Sequence, residues 1–157
     1  MLKESGFTIT EIMVTIAIVA IVTAFAVPNM LGQRADAKLK GAVDNLRGDL
    51  QLAKMMAVRE STFVVVNFFS DRYEIFVDNG AGANAGNGVW DADERLLRNR
   101  QLAAGVSINL ADTDFAGDQT SFNDRGLPEN LGKVVLVNFE GDQREISLSR
   151  LGRLSVQ

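Results

Sequence analysis

The sequence predicts an α+β chain, a long N-terminal helix packed on antiparallel β-sheets, and three observations carry that prediction. No charged residue occurs across the 22 residues 12–33. An amphipathic stretch with a helical period follows, over 34–60. From Ser61 onward the texture turns to short β-branched and aromatic runs divided by turn residues, with no second long helix.

The uncharged run, at 1.5 Å per residue, makes about 33 Å of helix, enough to cross a hydrocarbon core of about 30 Å. One carboxylate, Glu11, stands at its mouth. An ionisable side chain costs about 2.5–3.5 kcal/mol at a bilayer centre, so one at the edge of such a segment points to function. Pro28 lacks the amide hydrogen for an intrahelical bond and predicts an interruption or bend there. Two plain readings of the segment are open. A secretory signal peptide would be cut after the Ala24-Phe25-Ala26 triplet, although Glu4 answers Lys3 and Glu11 abuts the apolar core. A signal anchor would not be cut at all.

Beyond Gly32 the apolar residues Ala35, Leu39, Ala42, Leu46, Leu50, Ala53 and Ala57 recur at spacings of three and four, with Val43 and Leu31 extending the stripe. Arg34, Asp36, Lys38, Lys40, Asp44, Arg47, Asp49 and Lys54 occupy the opposite face. One helix is therefore expected from about Thr8 to about Glu60, its second half covering a sheet with small residues that allow close approach. No strict heptad sustains a coiled coil.

Strands are expected at 62–69, 72–77, 95–100, 106–110, 134–139, 145–148 and 153–156. The second alternates polar and apolar residues and reads as half-buried. Gly141-Asp142 is a tight-turn signal between two of them. The expected organisation is an apolar helix of membrane-spanning length up to residue 33 and a domain at 34–157 divided into a half-helix (34–60) and a β-rich part (61–157).

Composition excludes several kinds of chemistry. The 157-residue chain has no cysteine and no histidine, which removes disulfides, thiol nucleophiles, cysteine zinc sites and Ser-His-Asp arrangements. There is no dinucleotide or phosphate-loop fingerprint, and an enzyme is not expected. A net charge of −4 disfavours nonspecific nucleic-acid binding by the whole surface. The glycine-rich loop 78–94 offers Asp78, Asp91, Asp93 and Glu94 as oxygen donors for calcium, but Gly80 and Gly82 fill slots that an EF-hand gives to ligands. A flexible connector ending in an acidic turn is the alternative. Trp90, the one tryptophan, reads equally as an interface anchor or as a partly buried sheet residue.

The string Gly6-Phe7-Thr8-Ile9-Thr10-Glu11 leading into the apolar run resembles the type IV pilin-like proteins. Three further elements resemble the GspH/FimT subfamily of minor pseudopilins: the acidic loop 78–94, Phe122-Asn123-Asp124-Arg125-Gly126, and Leu151-Gly152-Arg153. The resemblance implies cleavage by a prepilin peptidase between Gly6 and Phe7, which makes 1–6 the leader and 7–33 the transmembrane and assembly helix, with N-methylation of Phe7. It implies a single pass through the bacterial inner membrane with the C-terminal domain in the periplasm. Incorporation beside other pilins in a type II secretion pseudopilus or a type IV pilus would follow, with Glu11 paired to a neighbour's N-terminal amine. Pro28 stands where such proteins often carry a proline that lets the helix bend on packing. Some FimT-like proteins bind DNA through a Gly-Arg-x-Arg string. Here Gly152-Arg153-Leu154-Ser155 lacks the second arginine, leaving Arg144, Arg150 and Arg153 as the phosphate contacts of an alternative DNA-uptake reading.

Overall fold

In a computed structural model of the chain, residues 7–80 and 86–157 are described, the side chains of 25–31 excepted. The chain divides into two compact units, Met1–Arg34 and Ala35–Gln157. Helix α1 (Ile9–Glu60) contributes to both and is continuous through Pro28, so the helix is not interrupted there.

The start of α1 is written locally. Thr8 is its N-cap, the hydroxyl accepting a hydrogen bond from the Glu11 amide at 3.2 Å, with Glu11 in the first turn of a Thr-x-x-Glu arrangement. The hydroxyls of Thr15 and Thr23 donate back to the carbonyls of Glu11 (2.7 Å) and Val19 (2.8 Å), so neither needs a partner from outside the helix. Among the described residues no helix is long and apolar enough to cross a membrane. The expected span includes residues 25–31, whose side chains lie outside those described. The other end closes with Ser61 at a left-handed φ of 50° and the Thr62 amide donating to the Ala57 carbonyl at 3.2 Å, a Schellman-type stop.

Two antiparallel four-stranded sheets follow. The first has the order β3-β2-β1-β5, with β1 (Phe63–Phe68), β2 (Arg72–Asp78), β3 (Arg95–Gln101) and β5 (Gln119–Phe122). The second has the order β4-β6-β7-β8, with β4 (Val106–Ile108), β6 (Gly132–Asn138), β7 (Gln143–Leu148) and β8 (Leu154–Val156). The core lies where both inner faces meet the second half of α1. Leu39, Val43, Leu46, Leu50, Ala53 and Ala57 bury against Val64, Val66, Ile75 and Val77 of one sheet and Val134, Leu136, Ile146 and Leu148 of the other. The buried residues of α1 are those of the expected stripe, with one addition.

That addition is Asp49, expected on the solvent face and found buried. The Tyr73 hydroxyl donates to its Oδ2 at 2.6 Å, the Arg100 Nε donates to the same oxygen at 2.9 Å, and Arg98 stands 3.5 Å from Oδ1. A buried carboxylate is tolerable once cations and a hydroxyl replace its water. Burial, then the bond to Asp49, raises the Tyr73 phenol far above its ordinary pKa and keeps it a donor.

Strand β5 was not foreseen. Its Gln-Thr-Ser-Phe sequence carries only two core-facing residues, Thr120 and Phe122, and its partner β1 is more than 50 residues away. Strand β2 is more buried than its alternation implied: Ile75, Phe76, Val77 and Asp78 are all inside. Val65, on the outer side of β1, and its partner Phe76 are both buried, and Val65 shares a cleft with residues 86–88. The Gly141-Asp142 turn forms as expected, with Gly141 at φ 92° and both Glu140 and Asp142 amides donating to Asn138 Oδ1.

Candidate functional site

At the N-terminus Phe7 is exposed, and so are the apolar residues along all sides of α1 from Ile9 to Val22. Glu11 sits in the first turn beside them. Gly6 and the side chain of Pro28 lie outside the described residues.

The loop joining β2 to β3 is organised by two carboxylates. Asp78 accepts from the amides of Gly86 (2.7 Å) and Gly88 (2.8 Å), and Glu94 accepts from those of Gly80 (3.1 Å) and Asp91 (3.0 Å). Both carboxylates are buried, and Asp78 stands near enough to Glu94 for its charge to act on it. Asp91 accepts from Asn87 Nδ2 at 3.0 Å. Of the four residues considered for calcium, the structure thus brings Asp78 and Glu94 together. Among the described residues no group of three or more His, Cys, Asp or Glu side chains is placed to hold a metal.

Burial, opposed by the amides of Asp91 and Gly80 and reinforced by the neighbouring Asp78, raises the Glu94 carboxyl above its ordinary value of 4.5. The sign of the consequence is fixed. An acid whose folded-state pKa is raised contributes stability that is fully present below its unfolded value and is lost as pH rises through the folded one. Glu94→Gln, which cannot ionise, should therefore narrow the loss of stability between pH 4 and pH 8. Denaturant midpoints of both proteins at the two pH values measure this, and an unchanged difference would overturn the raised Glu94 carboxyl.

The three arginines of the DNA-uptake reading do not form one cluster. Arg144 pairs with Asp36 at 3.0 Å, near the start of the domain's half-helix. Asp36 is 18 residues from Lys54, about 27 Å along α1, and it is by Lys54 that the C-terminal Gly152-Arg153 turn lies. Lys54 Nζ donates to the carbonyls of Leu151 (3.5 Å) and Gly152 (3.2 Å). Gly126 and Gly152, at φ 71° and 68°, meet beneath it: a Cβ on Gly152 would stand 3.0 Å from the Gly126 carbonyl oxygen, and one on Gly126 would stand 2.9 Å from Val58. The two sequence elements that flank these glycines are therefore one structural junction at the end of α1. Lys54, Arg59 and Arg125 around it were not singled out by sequence, because Arg125 is far from the other two in the chain and each reads alone as a solvated charge.

Comparison with known proteins places this arrangement. Residues 42–152 match the family model of the type II transport protein GspH, and residues 1–27 match that of the prokaryotic N-terminal methylation motif. A stretch of 46 residues is 41% identical to the type II secretion system core protein G of Vibrio cholerae, covering 29% of this chain and 32% of that protein, so the match spans about a third of that relative. Among solved structures, the minor pilin FimU of Pseudomonas aeruginosa has the same fold in two crystal forms. In one the TM-score is 0.57 over 78% of this chain and 90% of that one; in the other it is 0.55 over 76% and 92%, both at 18% identity. The long helix laid on two antiparallel sheets, the methylation motif and the match across most of the domain agree, and the chain belongs to the GspH family of pilin-like type II transport proteins.

Proposed function

We propose that this minor pilin or pseudopilin is inserted in the inner membrane through residues 7–33, is cut by a prepilin peptidase between Gly6 and Phe7, is methylated on Phe7, and then co-assembles into or initiates a type II secretion pseudopilus or a type IV pilus. The observation that supports this reading most is the first half of α1. Apolar side chains are exposed on every side from Ile9 to Val22, with one carboxylate, Glu11, in the opening turn. A helix that is apolar all round needs hydrocarbon or other helices around it. Leaving lipid headgroups for a filament interior strips Glu11 of water, and a cation must then replace that water. The amine freed at Phe7 of an adjacent subunit is such a cation.

Glu11→Ala should leave membrane insertion, leader cleavage and the fold of the domain unchanged. Crosslinking to the neighbouring pilin should fall by at least about a hundredfold, since removing one partner of a desolvated pair costs about 3–5 kcal/mol. Undiminished crosslinking would overturn the role assigned to Glu11.

A further inference from the structure

Two exposed apolar patches on the domain carry opposite charge. The first is at the end of α1, on the side of the helix turned away from its buried stripe. Met55 and Val58, 60% and 48% exposed, line with Gln51, Lys54 and Arg59 a shallow depression of about 420 Å³. The Gly126–Gly152 junction brings Arg125, Leu151 and Arg153 to its margin, Leu151 being 80% exposed. Among the described residues Arg59, Arg125, Arg150 and Arg153 enter no salt bridge, and Lys54 is bonded only to carbonyl oxygens. Glu60, next to Arg59, is already held by Arg95. On a chain of net charge −4 this is a local excess of positive charge.

The second patch lies across the domain. Strand β1 alternates, Val64 and Val66 entering the core while Val65 and Asn67 face away from it. The segment 86–89 rests on that outer face, sharing one cleft with Val65 and another with Asn67. It ends in Val89 and Trp90, 60% and 46% exposed. Asp91 and Asp93 follow directly, and Asp118 lines the same cleft as Val89.

We propose that the Val89–Trp90 patch of one copy of this chain docks on the Met55–Val58 patch of another. Each patch supplies apolar surface that water covers in the single chain, and the rims, arginine and lysine on one and aspartate on the other, attract. Tryptophan against an arginine-rimmed apolar depression is the composition from which interface hot spots are drawn. The two patches share no residue, one lying on α1 and the other beside the outer face of β1, so the contact is head-to-tail and leaves one patch of each copy open to a further copy. A polyanion such as DNA would use the cations alone and leave Met55, Val58 and Leu151 without apolar cover. The filament reading supplies only the setting for this contact.

The absence of cysteine makes single-cysteine crosslinking clean in the full chain. Gln51→Cys and Val89→Cys chains, co-expressed in membranes and treated with a short bis-maleimide, should give a mixed dimer about tenfold above either homotypic dimer, as a heterologous contact requires. Arg150→Glu with Arg153→Glu on the first chain should lower it about tenfold, and Asp91→Lys with Asp118→Lys on the second should restore it. Trp90→Ala should lower it without changing the circular dichroism of the domain. A mixed yield no higher than the homotypic ones, failure of the charge swap to restore it, or loss of the crosslink on nuclease treatment would each overturn the proposal. Normal entry into filaments without the mixed crosslink would overturn this contact alone. A mixed crosslink in membranes from a chain that never enters filaments would overturn the assembly reading alone.

Discussion

Gly152→Val should destabilise the domain by about 3 kcal/mol, combining about 1–2 kcal/mol for a side chain forced into the left-handed region with a similar cost of overpacking. The cause is a double constraint. The backbone at Gly152 has φ 68°, and a Cβ there would stand 2.8 Å from Lys54 Nζ and 3.0 Å from the Gly126 carbonyl oxygen. The lysine tip can swing away, but the carbonyl cannot, because Gly126 donates its amide to the Asn123 carbonyl at 2.8 Å within its own turn. Chemical denaturation of residues 35–157, the second compact unit, measures the loss. A change below about 1 kcal/mol, the size of an ordinary surface substitution or slightly above, would show that the junction yields and that the glycine pair is not a fixed contact.

Leu46→Ala should cost about 3 kcal/mol in the same assay, within the range of about 2–5 kcal/mol for emptying a fully buried leucine site. Leu46 has no exposed surface and sits in the middle of the half-helix, between strands of both sheets, so neither layer can close the cavity without moving the other. Lys40→Ala, on the exposed face of the same helix, is the control and should stay within about 0.5 kcal/mol of the parent. Equal effects of the two would mean that the amphipathic half of α1 does not hold the sheets together.

These two residues differ in how they could be known. Leu46 belongs to a stripe whose spacing is a property of consecutive residues, and the structure buries that stripe residue by residue. Gly152 was visible as part of a family-like string, but its partners Gly126 and Lys54 are 26 and 98 positions away, and the reason it must be glycine exists only once they meet. Asp49 shows the same limit from the other side. By period it belongs with the solvated charges, and it is buried because Tyr73, Arg98 and Arg100 arrive from β2 and β3 to replace its water. The loop carboxylates were read as oxygen donors for calcium, whereas the fold buries Asp78 and Glu94 and commits both to backbone amides of the loop.

The amino-acid sequence by itself determined the α+β class, the extent of α1, its Thr8 start with Glu11 in the first turn, the buried stripe from Ala35 to Ala57, and seven of the eight strands to within a few residues. Each of these follows from hydrogen bonding and side-chain direction among near neighbours, which repeat every 3.6 residues in a helix and every two in a strand. Only the tertiary structure decided the division of the strands into two sheets, the place of β5, the burial of Asp49, the turning of Asp78 and Glu94 onto amides of the loop, and the gathering of Lys54, Arg59, Arg125 and Arg153 around two glycines. Those features depend on which distant segments exclude water from one another, and a pattern confined to neighbouring residues carries no record of that.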